Sequence, residues 1–441
     1  MVRFSAISVR RSRCCMCCLS PSRKCWWESK WLPAGIVDGD IEMSLSDTRF
    51  VTGFVAGAAG LSIANNYLLQ PVLPAIATSL NIPLSATGLI AGSTQVGYML
   101  GIMLLVPLGD SRNKRSVVSI QFLILGLALL LAACGTHLLY MISLGAVIGA
   151  MATNAVQLNA LGFQIDPKGS TVGLVGAGIA AGILLARFMG GVLADQFGWR
   201  GMLVAVGLLM LLLALASRAV LPFIETRRSA SYRQLLRGLA PLFMRHAALR
   251  RATLLGGCWF FIFSLLWVAL MLHVSSAPLQ LSPSQAGMLG LAGLAGLLMA
   301  RPAGKWADKW GSRQVIGAGF GMTGLGVLML LVFPYSLVAI VAGVVLFDLG
   351  CFSAQVANQT TVLKIDPLQR NSVFALYMFF YYGCGAVGSI VAPVIHAYFG
   401  WAGICWTSLL LAVTGGAANY LMSSRALCAG VELSVADIID K

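Results

Sequence analysis

The sequence predicts an all-α membrane protein of twelve transmembrane helices, arranged as two pseudo-twofold-related six-helix bundles. Three observations predict this fold: an apolar composition, a series of long apolar runs, and motifs that recur half a chain apart. Of the 441 residues, 58% are hydrophobic and only 10% are charged, whereas a soluble domain carries about 25% charged residues. A water-soluble fold of this size could not bury so much apolar surface.

Twelve apolar runs are present, of the length, roughly 20 residues, that a helix needs to cross a bilayer. Helices are expected because lipid offers backbone groups no hydrogen-bond partner, and the alternation typical of a membrane barrel is absent. The predicted spans are residues 51–77, 84–108, 116–134, 137–160, 170–194, 201–222, 252–274, 284–304, 314–333, 336–359, 371–397 and 402–422. Span one is predicted to kink in its polar second half.

Three short motifs occur twice in the chain. They are Ile-Asp-Pro at 165–167 and 365–367, Phe-Gly-Trp at 197–199 and 399–401, and an Asp-containing basic loop at 108–115 and 306–313. The offset between matching residues stays between 198 (Asp110 to Asp308) and 202 (Phe197 to Phe399). A nearly constant offset indicates a duplicated unit, and in a chain this apolar it favours the two facing bundles of many secondary transporters.

The basic residues lie almost entirely on one side of the predicted membrane. With the N-terminus inside, the inner loops between Gly53 and Met422 hold 18 Lys and Arg, and the outer loops hold one, Arg200. This strong positive-inside bias predicts that both termini are cytoplasmic, with the chain in a bacterial inner membrane. The formal net charge of +15 is then explained by topology and anionic lipid headgroups, not by nucleic acid.

The spans and connectors predict five regions. They are a disordered cytoplasmic extension (1–49), a six-helix bundle (50–222), a basic cytoplasmic linker (223–251), a second six-helix bundle (252–422) and a cytoplasmic tail (423–441). Residues 1–42 could precede the natural start, which we place at Met43. The four cysteines between residues 14 and 18 are too close together to wrap one tetrahedral ion, so no metal site is predicted.

Residues 106–115 and 304–313 resemble the cytoplasmic signature loop of the major facilitator superfamily, and they fall between spans two and three and spans eight and nine, as in that family. The second copy matches the pattern closely, whereas in the first copy Val106 and Asn113 stand at the two glycine positions. Because Asn tolerates left-handed backbone geometry, we expect Asn113 to preserve the turn.

The resemblance covers about residues 50–422 and implies that these loops form a cytoplasmic gate, with ion pairs that break when the inner face opens. The predicted gate residues are Gly109, Asp110, Arg112, Lys114, Arg115, Gly304, Asp308, Lys309, Gly311 and Arg313. The alternative is that these charges only fix the membrane topology. This alternative explains Asp110 and Asp308 less well, because a positive-inside bias does not require acidic residues.

Two charges lie within predicted spans, Arg187 in span five and Asp348 in span ten. An ionisable residue at such depth costs at least about 2.5–3.5 kcal/mol on insertion, so it is expected to face the interior and to serve a function. The segments around both residues look like a branch of proposed efflux permeases in the superfamily, which implies coupling roles. Asp348 is our candidate proton carrier, the alternative being a structural carboxylate. Arg187 could bind an anion, pair with a carboxylate or extend to the membrane surface.

Polar and aromatic residues on facing helices predict the substrate contacts. The candidates are Asn66, Tyr67, Gln70, Gln95, Tyr98, Asn154, Trp259, Gln355, Asn358, Tyr377 and Tyr381, with Asn65, Gln157 and Trp267 as further polar or aromatic positions. Each alone is better explained as an interhelical hydrogen bond or an interfacial aromatic. As a set they predict an aromatic-lined, nearly uncharged cavity for a small neutral or amphipathic solute.

The sequence therefore predicts a monomeric secondary transporter, working by alternating access and most simply by proton-coupled efflux. The sequence has no phosphate-binding GxxxxGK[ST] loop, so ATP is not the expected energy source. We expect the proton gradient to drive transport, and we predict no bound cofactor. The partners expected are a small solute and membrane lipid. The first alternative is an uptake or facilitated carrier for a sugar-like or nucleoside-like solute. A membrane-embedded enzyme is disfavoured because no metal cluster or Ser/His/Asp set is apparent, and a channel because no pore loop is.

Overall fold

The computed structural model describes residues 45–165, 169–223, 232–293, 296, 298–366 and 369–439. Fifteen α-helices, which we number in chain order, are α1 Leu45–Ala64, α2 Leu73–Leu80, α3 Thr87–Leu104, α4 Val106–Ser111, α5 Lys114–Ala133, α6 Leu138–Met151, α7 Asn154–Ile165, α8 Gly169–Val220, α9 Tyr232–Arg245, α10 Ala247–Ser275, α11 Pro283–Ala292, α12 Ala300–Trp310, α13 Ser312–Val332, α14 Leu337–Val362 and α15 Arg370–Ile439. Two 3₁₀ helices, Gln70–Val72 and Leu84–Ala86, lie before α2 and α3.

Eight helical segments in the described part of the chain are long and apolar enough to cross a membrane. Two of them, Gly173–Val220 and Ser372–Met422, have 48 and 51 residues, which at 1.5 Å per residue is about 70 Å, more than twice the bilayer core. Each is interrupted by one glycine with non-helical backbone angles, Gly198 in α8 and Gly400 in α15. These two segments therefore supply two spans each, and ten of the predicted spans are accounted for.

Both arms of α8 contact the same stretch of chain, which shows that α8 turns back at Gly198. On the first arm, Gly182 lies so close to Gly60 of α1 that a side chain would overlap its backbone. On the second arm, the sulfur of Met210 lies 3.6 Å from Nδ2 of Asn65, five residues further along. The same holds for α15, since Gly385 and Leu411 both lie beside residues 257–261 of α10.

The two remaining predicted spans are broken helices, so their membrane crossing stays a prediction. Span one consists of α1, a hydrogen-bonded turn over residues 65–69, a 3₁₀ turn and α2, in agreement with the predicted kink. Its helix already begins at Leu45, inside the region predicted as disordered; residues 1–44 lie outside the described part. The described part of span eight includes α11 and α12. The described residues of the predicted basic linker (223–251) include α9 and the first turn of α10.

Small residues bring neighbouring helices into contact. A side chain at Gly97 of α3 would overlap the carbonyl group of Ala146 in α6, and one at Gly149 of α6 would overlap the carbonyl group of Thr94. Helices approach this closely only where no side chain separates them. These glycines therefore serve helix packing.

Two helix pairs bring the backbones of the two halves into close contact. Near the start of α3, Gly88 packs on the backbone of Ile390 in the first arm of α15. In the other pair, Gly191 of α8 packs on Pro283 at the start of α11. We call the end of the molecule that carries residues 112–115, 245–251 and 304–313 the basic end, and the other the opposite end. Both contacts lie toward the opposite end.

Candidate transport site

The two charged residues predicted within spans both lie against α11 or the residue that follows it. At Gly287, a side chain would overlap the backbone carbonyl of Arg187 in α8. At Gly293, a Cβ would come within 2.5 Å of Oδ2 of Asp348 in α14. Because small residues let backbones approach closely, these glycines hold α8, α11 and α14 together where the two charges lie.

Arg187 is fully buried and points into the protein. Its Nε donates a hydrogen bond to Oε1 of Gln70 at 2.8 Å. Its Cζ lies 4.1 Å from the ring centre of Trp267, 5.0 Å from that of Tyr67 and 5.7 Å from that of Phe263. A guanidinium over aromatic rings is attracted by their π faces. The alternative in which Arg187 extends to the membrane surface is therefore wrong.

Asp348 is also fully buried, on the second half of the molecule. Its Oδ1 accepts a hydrogen bond from Nε1 of Trp267 at 3.3 Å, while its Oδ2 has no hydrogen-bond partner. Nη2 of Arg187 is likewise buried without a partner, and among the described residues no ion pair within 4.0 Å joins the two side chains. Burying charged groups without full pairing is costly. Each group therefore retains a bonding position for a proton, a water molecule or a solute.

Trp267 connects the two charges across the halves. Its ring lies beneath the guanidinium of Arg187, and its N–H is bonded to Asp348. We call these three residues the Arg187–Trp267–Asp348 cluster. A movement of α8 relative to α14 would disturb one of its two contacts, so the cluster is placed to sense the relative position of the halves.

Several predicted substrate residues already bind neighbouring helices. Gln95 donates to Oγ of Ser389 at 2.8 Å, a bond between the two halves. Asn154 donates to a carbonyl of α5 at 3.2 Å. Asn358 donates to a carbonyl of α10 at 2.8 Å and lies 3.3 Å from the hydroxyl of Tyr377. These amides have the interhelical hydrogen bonds that we gave as the alternative explanation.

Two other candidates have no such bonds. Asn66 is buried, and neither its Oδ1 nor its Nδ2 has a hydrogen-bond partner. Nε1 of Trp259 is also buried and unpartnered. Buried polar groups in proteins are nearly always hydrogen-bonded, so these two are the better candidates for solute contacts, together with the free atoms of the cluster.

Aromatic rings cluster where the first half meets the second. The rings of Tyr98 in α3 and Tyr382 in α15 are 4.3 Å apart, and those of Phe260 and Tyr381 are stacked at 3.9 Å. Gln355 lies on α14, partly buried. Aromatic pairs in such contact stabilise an interface beyond their buried area, so a solute entering here would have to displace rings.

Sequence reasoning missed three contributors to the site. Phe263 and Ser389 contact Arg187 and Gln95, but a phenylalanine and a serine in apolar helices give no signal of their own. Gly293 leaves the space in which the Asp348 carboxylate lies. Its one signal in the sequence is the regular glycine spacing of span eight (Gly287, Gly290, Gly293 and Gly296), which by itself indicates only close helix packing.

The first copy of the signature loop is stabilised by its own half. Gly109 is buried, and a Cβ there would come within 2.7 Å of Oε1 of Gln157 in α7. Nε2 of the same glutamine donates to the carbonyl of Leu105 at 3.1 Å. The side chain of Asp110 lies outside the described part, so its predicted pairing stays a prediction.

The turn of this copy differs from our expectation. Asn113 has φ −58°, so the predicted left-handed geometry is wrong. Its Oδ1 instead accepts from the backbone N–H of Arg115 at 3.0 Å and caps α5. A side-chain oxygen satisfies an otherwise unpaired N–H at a helix start. Of the other gate candidates, Arg112 is exposed, Lys114 is buried, and Arg115 donates to the carbonyl of Arg218.

The second copy contains an ion pair within its own half. Nζ of Lys364, after α14, lies 3.7 Å from Oδ1 of Asp308, and the two side chains are 74% and 73% exposed. Exposed pairs of this kind contribute about 0–1 kcal/mol. Because both residues belong to the second half, a gate pair between the halves stays a prediction.

The other residues of this copy line the surface of the basic end. Gly311 has φ 90°, which favours glycine, and it separates α12 from α13. Arg313 lies with its Cζ 4.6 Å from the ring centre of Tyr420. Gly304 is partly buried, and Lys309 is exposed. The copy is therefore packed onto the second arm of α15.

At the opposite end, a carboxylate of the first half caps a helix of the second. Oδ2 of Asp195 accepts from the backbone N–H of Ser284 and from Oγ of Ser282, both at 3.0 Å. These residues begin α11. A negative charge at a helix N-terminus interacts favourably with the unpaired N–H groups and the helix dipole. Asp195 therefore holds the halves together at this end.

The family model of the Major Facilitator Superfamily matches residues 55–280 and 253–426, which together cover most of the chain. The chain belongs to the major facilitator superfamily. The predicted all-α fold and the predicted membership of this superfamily are thereby confirmed. Membership of this family points to a transporter rather than to an enzyme.

Relatives and solved structures agree with this assignment. The uncharacterized transporter YgaY of Escherichia coli O157:H7 is 34% identical over 359 residues, covering 81% of this chain and 91% of its own. The probable transporter SCO4007 of Streptomyces coelicolor is 30% identical, covering 86% and 88%. A bacterial homologue of the human lysosomal transporter Spinster, in an inward-facing and unoccupied conformation, superposes with a TM-score of 0.74 at 14% identity (87% and 98% covered). A point mutant of the nucleoside transporter NupG superposes with 0.69 at 14% (85% and 99%). At these identities the two structures support the fold alone.

Proposed function

We propose that this superfamily member exports a small organic solute in exchange for protons, with Asp348 as the proton carrier. The observation that carries the proposal is the Arg187–Trp267–Asp348 cluster, in which a buried carboxyl group of one half has an unpartnered oxygen near a buried guanidinium of the other. This free oxygen can bind either a proton or a hydrogen-bond donor of the solute, so the proton and the solute compete for the same atom. Such competition is the requirement for antiport.

Arg187 supplies the fixed charge of the mechanism. A guanidinium is not deprotonated in proteins, so the net charge of the cluster changes by one when Asp348 gains or loses its proton. Each change alters the attraction between α8 and α14, and therefore the relative stability of the two orientations of the halves. A ligand can shift such an equilibrium only by its differential affinity for the two states.

The test is proton movement in everted membrane vesicles that contain the protein. A growth screen of a deletion strain against a panel of metabolites and toxic compounds first identifies a solute. Vesicles acidified inside and loaded with a pH-sensitive dye are then expected to release protons when that solute is added. Asp348→Asn is expected to abolish the signal, and Asp348→Glu to retain part of it. An undiminished signal in Asp348→Asn at equal protein level excludes Asp348 as the carrier.

The direction of transport rests on the resemblance of the Arg187 and Asp348 segments to efflux permeases. An uptake or facilitated carrier is the second candidate, since stacked rings such as Phe260 and Tyr381 suit the flat face of a sugar or a nucleobase. Whole-cell accumulation of the radiolabelled solute separates the two. Export predicts more solute in the deletion strain than in the parent, and uptake predicts less.

We also propose that the basic end faces the cytoplasm of the bacterial inner membrane and that the protein acts as a monomer. Cys134 is exposed between α5 and α6, at the opposite end. In spheroplasts, a membrane-impermeant maleimide is expected to label the protein, and Cys134→Ser is expected to lose that label. Labelling of Cys134 only after the membrane is broken would reverse the orientation.

A further inference from the structure

The surface of the first half carries a groove, which is separate from the Arg187–Trp267–Asp348 cluster. It lies between α1 and the two arms of α8 and has a volume of about 330 Å³. Its rim consists of apolar side chains that are 38–47% exposed, including Leu61, Met189 and Leu209. In a protein that spans a membrane, such a rim faces lipid, so molecules dissolved in the bilayer reach the groove directly.

One polar side chain lies among the apolar residues of this groove. Asn65 is 2% exposed, and its Nδ2 donates to the carbonyls of Leu61 and Ser62 at 2.8 and 3.4 Å. Its Oδ1 is buried without any partner. Exchanging the amide oxygen and nitrogen would turn the oxygen toward two carbonyls, so the hydrogen-bond network fixes the assignment. Asn65 therefore presents an acceptor that has no donor.

The free acceptor defines the chemistry of the occupant. An acyl chain alone would fill the groove but would leave Oδ1 unsatisfied, at a cost of about 1–3 kcal/mol. A hydroxyl donor would satisfy it. The thioether of Met210 lies beside this amide, 3.6 Å from Nδ2, and a flexible methionine side chain can move to make room for an occupant.

We propose that this groove is a second binding site, for a membrane-dissolved amphiphile with one hydroxyl donor that binds Oδ1 of Asn65. The groove shares α8 with the cluster, since Ala186 and Met189 line it on either side of Arg187 in sequence. An occupant therefore contacts the helix arm that carries the fixed charge, but its binding does not depend on transport.

The test uses two photoreactive probes and the full-length protein in bilayer nanodiscs. One probe is a diazirine-bearing long-chain alcohol, and the other is its methyl ether, which has the same chain but no donor. Labelled peptides are quantified by mass spectrometry. The alcohol is expected to label the peptides that contain residues 185–210 about three- to tenfold more than the ether, the ratio that one hydrogen bond supplies. Asn65→Leu is expected to bring the two probes to equal labelling.

Two glycines of α1 provide matched variants. Gly57 lines the groove and Gly53 lies one turn earlier outside it, and a Cβ at either position meets no atom within 4 Å. Gly57→Leu is expected to remove labelling by both probes, whereas Gly53→Leu leaves it unchanged. Equal labelling by alcohol and ether in the unmodified protein, which needs no variant to fold, would overturn the proposal. So would labelling that persists in Gly57→Leu.

Discussion

The two halves of the molecule share the same glycine turn but differ in the charged residues of their helices. Gly198 and Gly400, each in a Phe-Gly-Trp motif, have φ/ψ of 70°/167° and 64°/−167°. This region is essentially restricted to glycine. The following tryptophans, Trp199 and Trp401, are 6% and 7% exposed. Ten residues before each Phe, however, the first half has Arg187 and the second has Ser389.

For the buried carboxyl group the difference is reversed, because the charged residue is in the second half. Eighteen residues before each Asp of the repeated Ile-Asp-Pro, the second half has Asp348 and the first has Ile148, which is buried. Positions where the backbone admits only one residue type have kept it in both copies. Positions in the centre have diverged, so that one half carries the fixed charge and the other the carboxyl group.

The largest expected effect comes from removing the shared turn. Alanine at Gly198 and Gly400 must adopt a backbone region that costs about 1–3 kcal/mol per residue. The double variant is therefore expected to lose roughly twice that amount in free energy of unfolding, measured by thermal or denaturant unfolding in detergent. Each single variant is expected to lose about half, if the halves use the turn equally. Two single variants of very different stability would show that the turns are not equivalent.

The next effect concerns the space around the carboxyl group. A Cβ at Gly293 would lie 2.5 Å from Oδ2 of Asp348, and overpacking of this kind costs about 1–3 kcal/mol. Gly293→Ala is expected to abolish proton release in vesicles while the protein still folds. Gly321, on α13, has no atom within 4 Å of a Cβ, and Gly321→Ala is the control that retains transport. Full transport in Gly293→Ala would mean that the position of Asp348 is not critical.

The two signature loops give a smaller, asymmetric effect. Gly311 has φ 90°, so Gly311→Asn is expected to cost about 1–3 kcal/mol. Asn113 caps a helix with ordinary φ, and replacing such a cap by glycine costs only a few tenths of a kcal/mol. Denaturant unfolding of the variants Asn113→Gly and Gly311→Asn measures both losses in free energy of unfolding. Equal losses would show that the two copies use one turn after all.

Much of the fold follows from sequence because its signals are local or periodic. Apolar runs predict the spans, and the repeated Phe-Gly-Trp predicts a repeated unit, in agreement with the matching backbone angles at Gly198 and Gly400. The error at Asn113 arose because an Asn at a glycine position has two solutions, a left-handed turn or a helix cap. Sequence could not choose between them, since the choice depends on how α4 meets α5.

The site was less predictable, because its contacts join residues distant in the chain. Arg187 and Asp348 were identified by the cost of burying charge, which is a local signal. The sequence does not indicate that Trp267 lies between these two residues, because this position depends on α10 packing against both α8 and α14. Likewise, nothing in sequence separates Asn66, which has no partner, from Asn154, which has one.

The smallest expected effect concerns the exposed ion pair of the second loop. Lys364 and Asp308 are both about three-quarters exposed and 3.7 Å apart, so Lys364→Ala is expected to change the free energy of unfolding by no more than about 1 kcal/mol. The effect is expected to disappear at high salt, because screening weakens exposed pairs. If the pair serves only its own half, transport by Lys364→Ala stays near that of the unmodified protein. A large loss of transport with unchanged stability would instead indicate that Asp308 or Lys364 contacts the first half in another state of the cycle, which is the gate that the sequence predicts.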